Sequence, residues 1–163
     1  MKIFLLDDEA RKGRKGFLSV LPAEELIVAT SRDEGVETYP RLQPYDLLLL
    51  DHDLEGYYEK RAEYPNTGMS FVKWFVDAHP FDAAANNPLI ICHSWNPDGA
   101  VNMLSLLRER GFRTMRIEFG TKLLKALEGE CQRWIRRTSS SLLESSSLSA
   151  TPSESSEAAS DRR

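Results

Sequence analysis

The sequence predicts a single α/β domain built on a doubly wound, five-stranded parallel sheet. Two observations carry that prediction. Short apolar runs recur along the chain without the alternation of a half-exposed strand, and segments with helical spacing separate them. Continuous runs suit strands that are covered on both faces. The runs occupy residues 2–6, 26–29, 46–50, 89–92 and 114–119.

Each run is followed by a segment that reads as a helix. In the last one, Leu123, Leu127, Cys131 and Trp134 recur at helical intervals, which predicts a helix packed on the sheet. The chain therefore has five strand–helix units. The helical segments are a charged stretch after Asp8 and residues 31–42, 67–78, 96–112 and 121–137.

Right-handed crossovers restrict such a chain to a few sheets, of which the flavodoxin-like order 2-1-3-4-5 is the commonest for five strands. In that order strands one, three and four are neighbours. Their carboxyl ends then line one crevice, and acidic or polar residues follow each of these strands.

Composition and charge restrict the classes of function that this chain could have. The chain has 163 residues, 41% of them hydrophobic, and a formal net charge of −4, which argues against binding to bulk DNA. Two cysteines are too few for a disulfide framework, and no leader or long apolar run is evident, so we expect a cytoplasmic protein without membrane attachment. Residues 1–137 form the predicted domain, and the serine-rich stretch 138–163 reads as a disordered tail.

Three acids meet at the predicted crevice. Asp7 and Asp8 follow the first strand and Asp51 follows the third, so like charges would crowd there unless a cation binds. Hard oxygen ligands favour Mg²⁺ or Mn²⁺, which usually keeps a substrate phosphate in its shell. The alternative is that these acids only cap strand ends and helix N-termini.

The strings "IFLLDDEA", "DLLLLDHDL", "TGMSFVKWF" and "IICHS" resemble the receiver domain of two-component response regulators over about residues 1–137. That resemblance implies a role for each matching position. They are the acidic pair Asp7 and Asp8, the phosphoaccepting Asp51, Asp53 with its metal-binding carbonyl, the hydroxyl residue Ser94 and the helix-opening Gly68.

Two features depart from the receiver pattern. The fifth strand reads "RIEFG" where receivers carry a lysine, and Lys122 comes later in the chain. His52 and His93 flank Asp51 and Ser94, where the receiver pattern has no histidine. Together with "CHSWNPDGAVNM", these residues resemble the cyclic-phosphate processing receiver domains. That family is associated with RNA repair, which implies a small phosphorylated ligand or an RNA end as partner.

Two histidines across a phosphodiester can divide proton transfer between them, one as base and one as acid. His52 and His93 are the candidates. Period-two geometry offers an alternative for His93: if Asp51 and Ser94 point into the crevice, His93 faces the other way and packs in the core.

Further residues could bind the ligand. The long connection between Asp53 and Gly68 carries Lys60 and Arg61, which can meet a phosphate, and several tyrosines. After the fourth strand, Asn96 and Asn102 could add donors near a helix N-terminus.

Two function classes follow. The first is a Mg²⁺-dependent phosphoesterase that acts on a 2′,3′-cyclic RNA end or a cyclic nucleotide, with Asp51, His52, His93 and Ser94 as catalytic residues. The second is a receiver-type module in which Asp51 accepts a phosphoryl group or the crevice only holds a phosphate ligand.

Overall fold

The computed structural model describes residues 1–11, 18–19, 21, 23–54, 65–83, 85 and 87–129. Its core is one parallel sheet with the strand order β2-β1-β3-β4-β5. The predicted fold class and strand order are therefore confirmed. The strands are β1 Lys2–Leu6, β2 Glu25–Ala29, β3 Leu47–Leu50, β4 Leu89–Cys92 and β5 Thr114–Arg116.

Helices follow β2, β3, β4 and β5 as predicted. The described helices are α1 Arg32–Thr38, a short 3-10 helix Tyr39–Arg41, α2 Gly68–Ala78, α3 Pro97–Glu109 and a helical stretch at 121–129. The charged stretch after Asp8, where we predicted the first helix, lies mostly outside the described residues. So do the tail 138–163 and the loop residues Lys60 and Arg61.

Burial explains the continuous apolar runs. All four leucines of β3 are at most 2% exposed, as expected for a central strand that is covered on both faces. The fifth strand is shorter than its apolar run, ending at Arg116 at the edge of the sheet, where the backbone N–H of Ile117 still donates to the carbonyl of Cys92 at 3.1 Å.

Aromatic rings fill the space between the sheet and the first two helices. Phe4 stacks on Phe71 with ring centroids 5.3 Å apart, and Tyr39 packs edge-on to Phe4 at 5.2 Å. Burial raises the pKa of the Tyr45 hydroxyl to about 12, and that hydroxyl donates to the carbonyl of Tyr39 at 3.0 Å. This cluster fixes α1 and α2 against the sheet.

The helix starts are set by side-chain caps. Thr67 accepts from the backbone N–H of Ser70 at 3.1 Å, and Asn96 accepts from that of Gly99 at 2.9 Å. Both caps lie at the carboxyl edge of the sheet. Among the described residues, no helix has the length and apolarity required to cross a membrane.

Candidate functional site

The carboxyl ends of β1, β3 and β4 meet at one edge of the sheet. Leu6, Leu50 and Cys92 are register partners across these strands, so the residues that follow them are neighbours. Asp7, Asp51 and His93 are those residues and all three are buried. One ligand atom of each lies within 4.8 Å of the others.

His93 is completely buried, and its Nε2 lies 3.1 Å from Oδ2 of Asp7, which is also completely buried. The other ring nitrogen, Nδ1, has no hydrogen-bond partner among the described residues. A proton on Nδ1 would be a buried donor without an acceptor, which is costly. We therefore assign the proton to Nε2, so that His93 donates to Asp7.

That assignment limits what His93 can do. Three ligand atoms this close would suit one metal ion, but a protonated Nε2 offers no lone pair to a metal. Ligating histidines also donate their other N–H to an acceptor, and none faces Nδ1. His93 is thus placed to position Asp7 rather than to bind an ion. It is buried and does not line the cleft above. Its ring lies with Asp7 and Asp51 and not on the opposite face, so the period-two alternative was wrong about its direction.

Above this buried layer lies an open cleft of about 320 Å³. The described residues that line it are four acids, one serine and two apolar residues. The lining residues are Asp8, Glu9, Asp51, Asp53, Leu54, Ser94 and Trp95.

Backbone amides hold the carboxylates in place. The N–H of His52 donates to Oδ1 of Asp51 at 2.7 Å, and the N–H of Glu9 donates to Oδ1 of Asp7 at 2.9 Å. Each bond spans one or two residues, so it fixes the side chain directly to its own strand end. Such bonds preorganise the acids before any ligand arrives.

Gly68 brings α2 onto the end of β3. Its N–H donates to the carbonyl of His52 at 2.8 Å, and an added Cβ would lie 1.9 Å from the carbonyl oxygen of Asp51. Only a residue without a side chain allows this approach. The helix therefore fixes the backbone of Asp51, as the predicted helix-opening role of Gly68 requires.

His52, Asp53 and Asn96 form a hydrogen-bonded group beside the cleft. Nδ1 of His52 lies 2.7 Å from Oδ1 of Asp53, and the Asn96 amide donates to the same oxygen at 3.1 Å. Because Oδ1 of Asn96 caps the N–H of Gly99, its amide nitrogen must face Asp53. His52 then carries its proton on Nδ1, which leaves Nε2 as the basic atom.

Gly99 makes room for the His52 ring, since a Cβ there would lie 2.5 Å from it. The ring is 18% exposed, and Asp53, not His52, lines the cleft. His52 thus lies behind Asp53, against the start of α3.

A family profile described as cyclic-phosphate processing receiver domain matches residues 1–109. The chain belongs to this family. The resemblance noted from its motifs is therefore confirmed. No curated protein matches the chain.

Solved receiver domains share the fold. A two-component response regulator from Clostridium difficile gives a TM-score of 0.56 at 17% identity, covering 85% of this chain and 98% of that one. A receiver domain protein from Clostridium thermocellum gives 0.53 at 19%, covering 81% and 94%. A CheY-like protein from Methanospirillum hungatei gives 0.52 at 12%, covering 86% and 97%. At these identities the likeness concerns the fold alone.

In this cyclic-phosphate processing receiver domain, the end of β5 carries an ion pair where receivers have a lysine. Nη2 of Arg116 lies 3.7 Å from Oε1 of Glu118. Lys122 is exposed on the following helix and does not line the cleft. The structure therefore agrees with the sequence that the receiver lysine is replaced at the end of β5.

Other predicted ligand-binding residues lie apart from the cleft. Asn102 is exposed on α3 and is not among the lining residues. Asn96 acts through its cap and through Asp53. Glu9 and Trp95 were not predicted as site residues, although both are adjacent in the chain to predicted site residues, Asp8 and Ser94.

Proposed function

We propose that the cleft hydrolyses a cyclic phosphodiester with the help of a divalent cation. The observation that carries the proposal is the His52–Asp53–Asn96 group. A phosphoaccepting aspartate needs no such group, whereas hydrolysis of an ester needs a proton carrier beside the phosphate.

The donor set fits Mg²⁺ or Mn²⁺. With His93 protonated at Nε2, the available ligands near β1 and β3 are carboxylate oxygens of Asp7, Asp8 and Asp51, and hard oxygen ligands suit these ions. By its family position, Asp53 would add its backbone carbonyl. A bound cation neutralises the carboxylates and polarises the phosphoryl oxygens.

Ser94 is placed to hold the phosphate. Its Oγ accepts the N–H of Asn96 at 3.2 Å, so its own hydrogen is directed to another acceptor. A phosphoryl oxygen in the cleft would be that acceptor. The residue is completely buried at the floor of the cleft, so its position is fixed by packing.

We assign proton transfer to His52 and Asp53. Water attacks phosphorus, one ring P–O bond breaks, the water loses a proton and the leaving oxygen gains one, which yields a phosphomonoester and a free hydroxyl. Asp53 lines the cleft. Behind it, the Nδ1–H of His52 donates to the Asp53 carboxylate. Asp51 either holds the cation or attacks as a nucleophile.

A screen of the full chain with Mg²⁺ tests the proposal. The substrates are 2′,3′-cyclic mononucleotides, 3′,5′-cyclic mononucleotides and an RNA oligonucleotide with a 2′,3′-cyclic end, with products followed by phosphorus NMR. We expect turnover of at least one, abolished by chelation and by Asp51→Asn. Absence of turnover on all three would contradict the proposal.

A second function, that of a phosphoacceptor module, is favoured by Asp51 at the receiver position. Labelling of Asp51 by acetyl phosphate without any hydrolysis of a cyclic phosphate would select it. The ion pair in place of the strand-five lysine weighs against it, because Glu118 offsets the positive charge of Arg116 at the end of β5.

A further inference from the structure

Trp95 holds its indole in solvent at the edge of the cleft. The residue is 66% exposed, more than any other large hydrophobic residue in the described part of the chain. Phe81, also exposed, packs on Phe112 with centroids 5.6 Å apart, whereas none of the described rings contacts Trp95. Single exposed apolar residues are common, so the position of Trp95 decides its meaning.

That position is rigid and lies next to the phosphate-holding hydroxyl. Ser94 on one side is completely buried. Asn96 on the other side caps α3 and donates its N–H back to Oγ of Ser94 at 3.2 Å. The backbone of Trp95 is therefore fixed on both sides, and a flat ligand binding to it costs little ordering of the protein.

The chemistry of the cleft complements the indole. Among the described residues, its charged lining residues are all acidic, namely Asp8, Glu9, Asp51 and Asp53. A phosphate binds there only with a cation, so these residues offer little to the uncharged remainder of the ligand. Of the described lining residues, Trp95 is the aromatic one, and nucleobases stack on such surfaces regardless of sequence.

We infer that Trp95 is the platform on which the base of a nucleoside cyclic phosphate stacks while its phosphate lies at Ser94. The inference rests on the proposed function for the phosphate position, and it adds the substrate class: a cyclic phosphate that carries a base. A cyclic phosphate on a bare sugar would lack this contact.

The test compares two substrates with Mg²⁺: adenosine 2′,3′-cyclic phosphate and the cyclic phosphate of methyl riboside, which has no base. Stacking is worth about 1–3 kcal/mol per base, so Trp95→Ala should lower kcat/KM for the adenosine compound about 5- to 150-fold. The methyl riboside compound should be unaffected, Trp95→Phe should keep most of the activity, and Val101→Ala, also exposed, should change neither.

Thermal melts of Trp95→Ala should match those of the unaltered chain, because the indole is exposed. An equal effect of Trp95→Ala on both substrates, or none on either, would overturn the inference. So would a dimer that Trp95→Ala dissolves while both substrates are turned over as before, since the indole would then contact a second copy.

If the chain hydrolyses neither compound, the proposed function fails and binding decides the inference separately. Calorimetry with Mg²⁺ should then show tighter binding of the adenosine compound, with the difference lost in Trp95→Ala. Equal binding of both compounds, or binding of neither, would contradict a base platform.

Discussion

Nε2 of His93 donates to Oδ2 of Asp7 across 3.1 Å, and both residues are fully buried. Asp7 follows β1 and His93 follows β4, so the ring passes beneath Asp51 at the end of the intervening β3. The bond holds one carboxylate of the acidic cluster in a fixed position. A histidine absent from the receiver pattern thus acts on an aspartate that belongs to it.

His93→Ala should therefore weaken both folding and metal binding. A hydrogen bond to a charged group contributes about 1.5–3 kcal/mol, so the free energy of unfolding should fall by at least that amount. Mg²⁺ affinity, measured by calorimetry, should fall because Asp7 loses its donor. Denaturant unfolding gives the first quantity.

His93→Gln is the matched variant, because its amide nitrogen can reach the place of Nε2. If His93 only positions Asp7, this variant should recover most of the Mg²⁺ affinity. Failure to recover it, together with a preference of the unaltered chain for Zn²⁺ over Mg²⁺, would show that His93 is a metal ligand.

Gly68→Ala should disturb the end of β3. Its Cβ would lie 1.9 Å from the carbonyl oxygen of Asp51, a backbone atom that cannot move alone. Overpacking of this kind costs about 1–3 kcal/mol, and Mg²⁺ affinity should fall as Asp51 shifts. Gly129→Ala is the control, since a Cβ there meets nothing within 4 Å. Equal stability of the two variants would refute the close approach.

Gly99→Ala should separate catalysis from metal binding. A Cβ at Gly99 would lie 2.5 Å from the His52 ring, so the ring must move away from Asp53. Turnover of a cyclic phosphate should fall at least tenfold, about 1.4 kcal/mol, while calorimetry finds Mg²⁺ affinity unchanged. Unchanged turnover would mean that the His52–Asp53 contact is not needed.

His79 should make folding sensitive to pH. Its ring packs on Tyr39 with centroids 4.8 Å apart, and burial lowers the pKa of His79. The unfolded chain therefore binds the proton at a higher pH than the folded chain, so stability falls as pH drops below about 6.5, the ordinary value. Relative to His79→Gln, the unaltered chain should lose melting temperature between about pH 7.5 and pH 5.5. A constant difference would contradict this.

The fold was predictable because burial on both faces leaves continuous apolar runs, and β1 and β4 match their runs residue for residue. The acids at the strand ends were predictable because they directly follow these apolar runs. The length of β5 was not, because an edge strand stops where pairing stops, and an apolar run can continue past that point.

Sequence patterns did not predict the side-chain contacts within the site. Side-chain alternation along the strand placed His93 on the opposite face from Asp51, whereas its ring lies beside Asp51 and reaches Asp7, two strands away. His52 reads as a cleft residue from its place beside Asp51, yet Gly99 gives its ring space against α3. The exposure of Trp95 depends on which neighbours pack nearby, which local spacing does not encode.

We propose that this receiver domain hydrolyses a cyclic phosphodiester with proton transfer through His52 and Asp53. The most direct test is the turnover of a 2′,3′-cyclic mononucleotide by His52→Ala, measured beside its Mg²⁺ affinity. General acid–base catalysis contributes roughly 10²–10⁴-fold, so turnover should fall by that factor while Mg²⁺ affinity stays the same. Full turnover by His52→Ala, or no turnover by the unaltered chain together with labelling of Asp51 by acetyl phosphate, would contradict the claim.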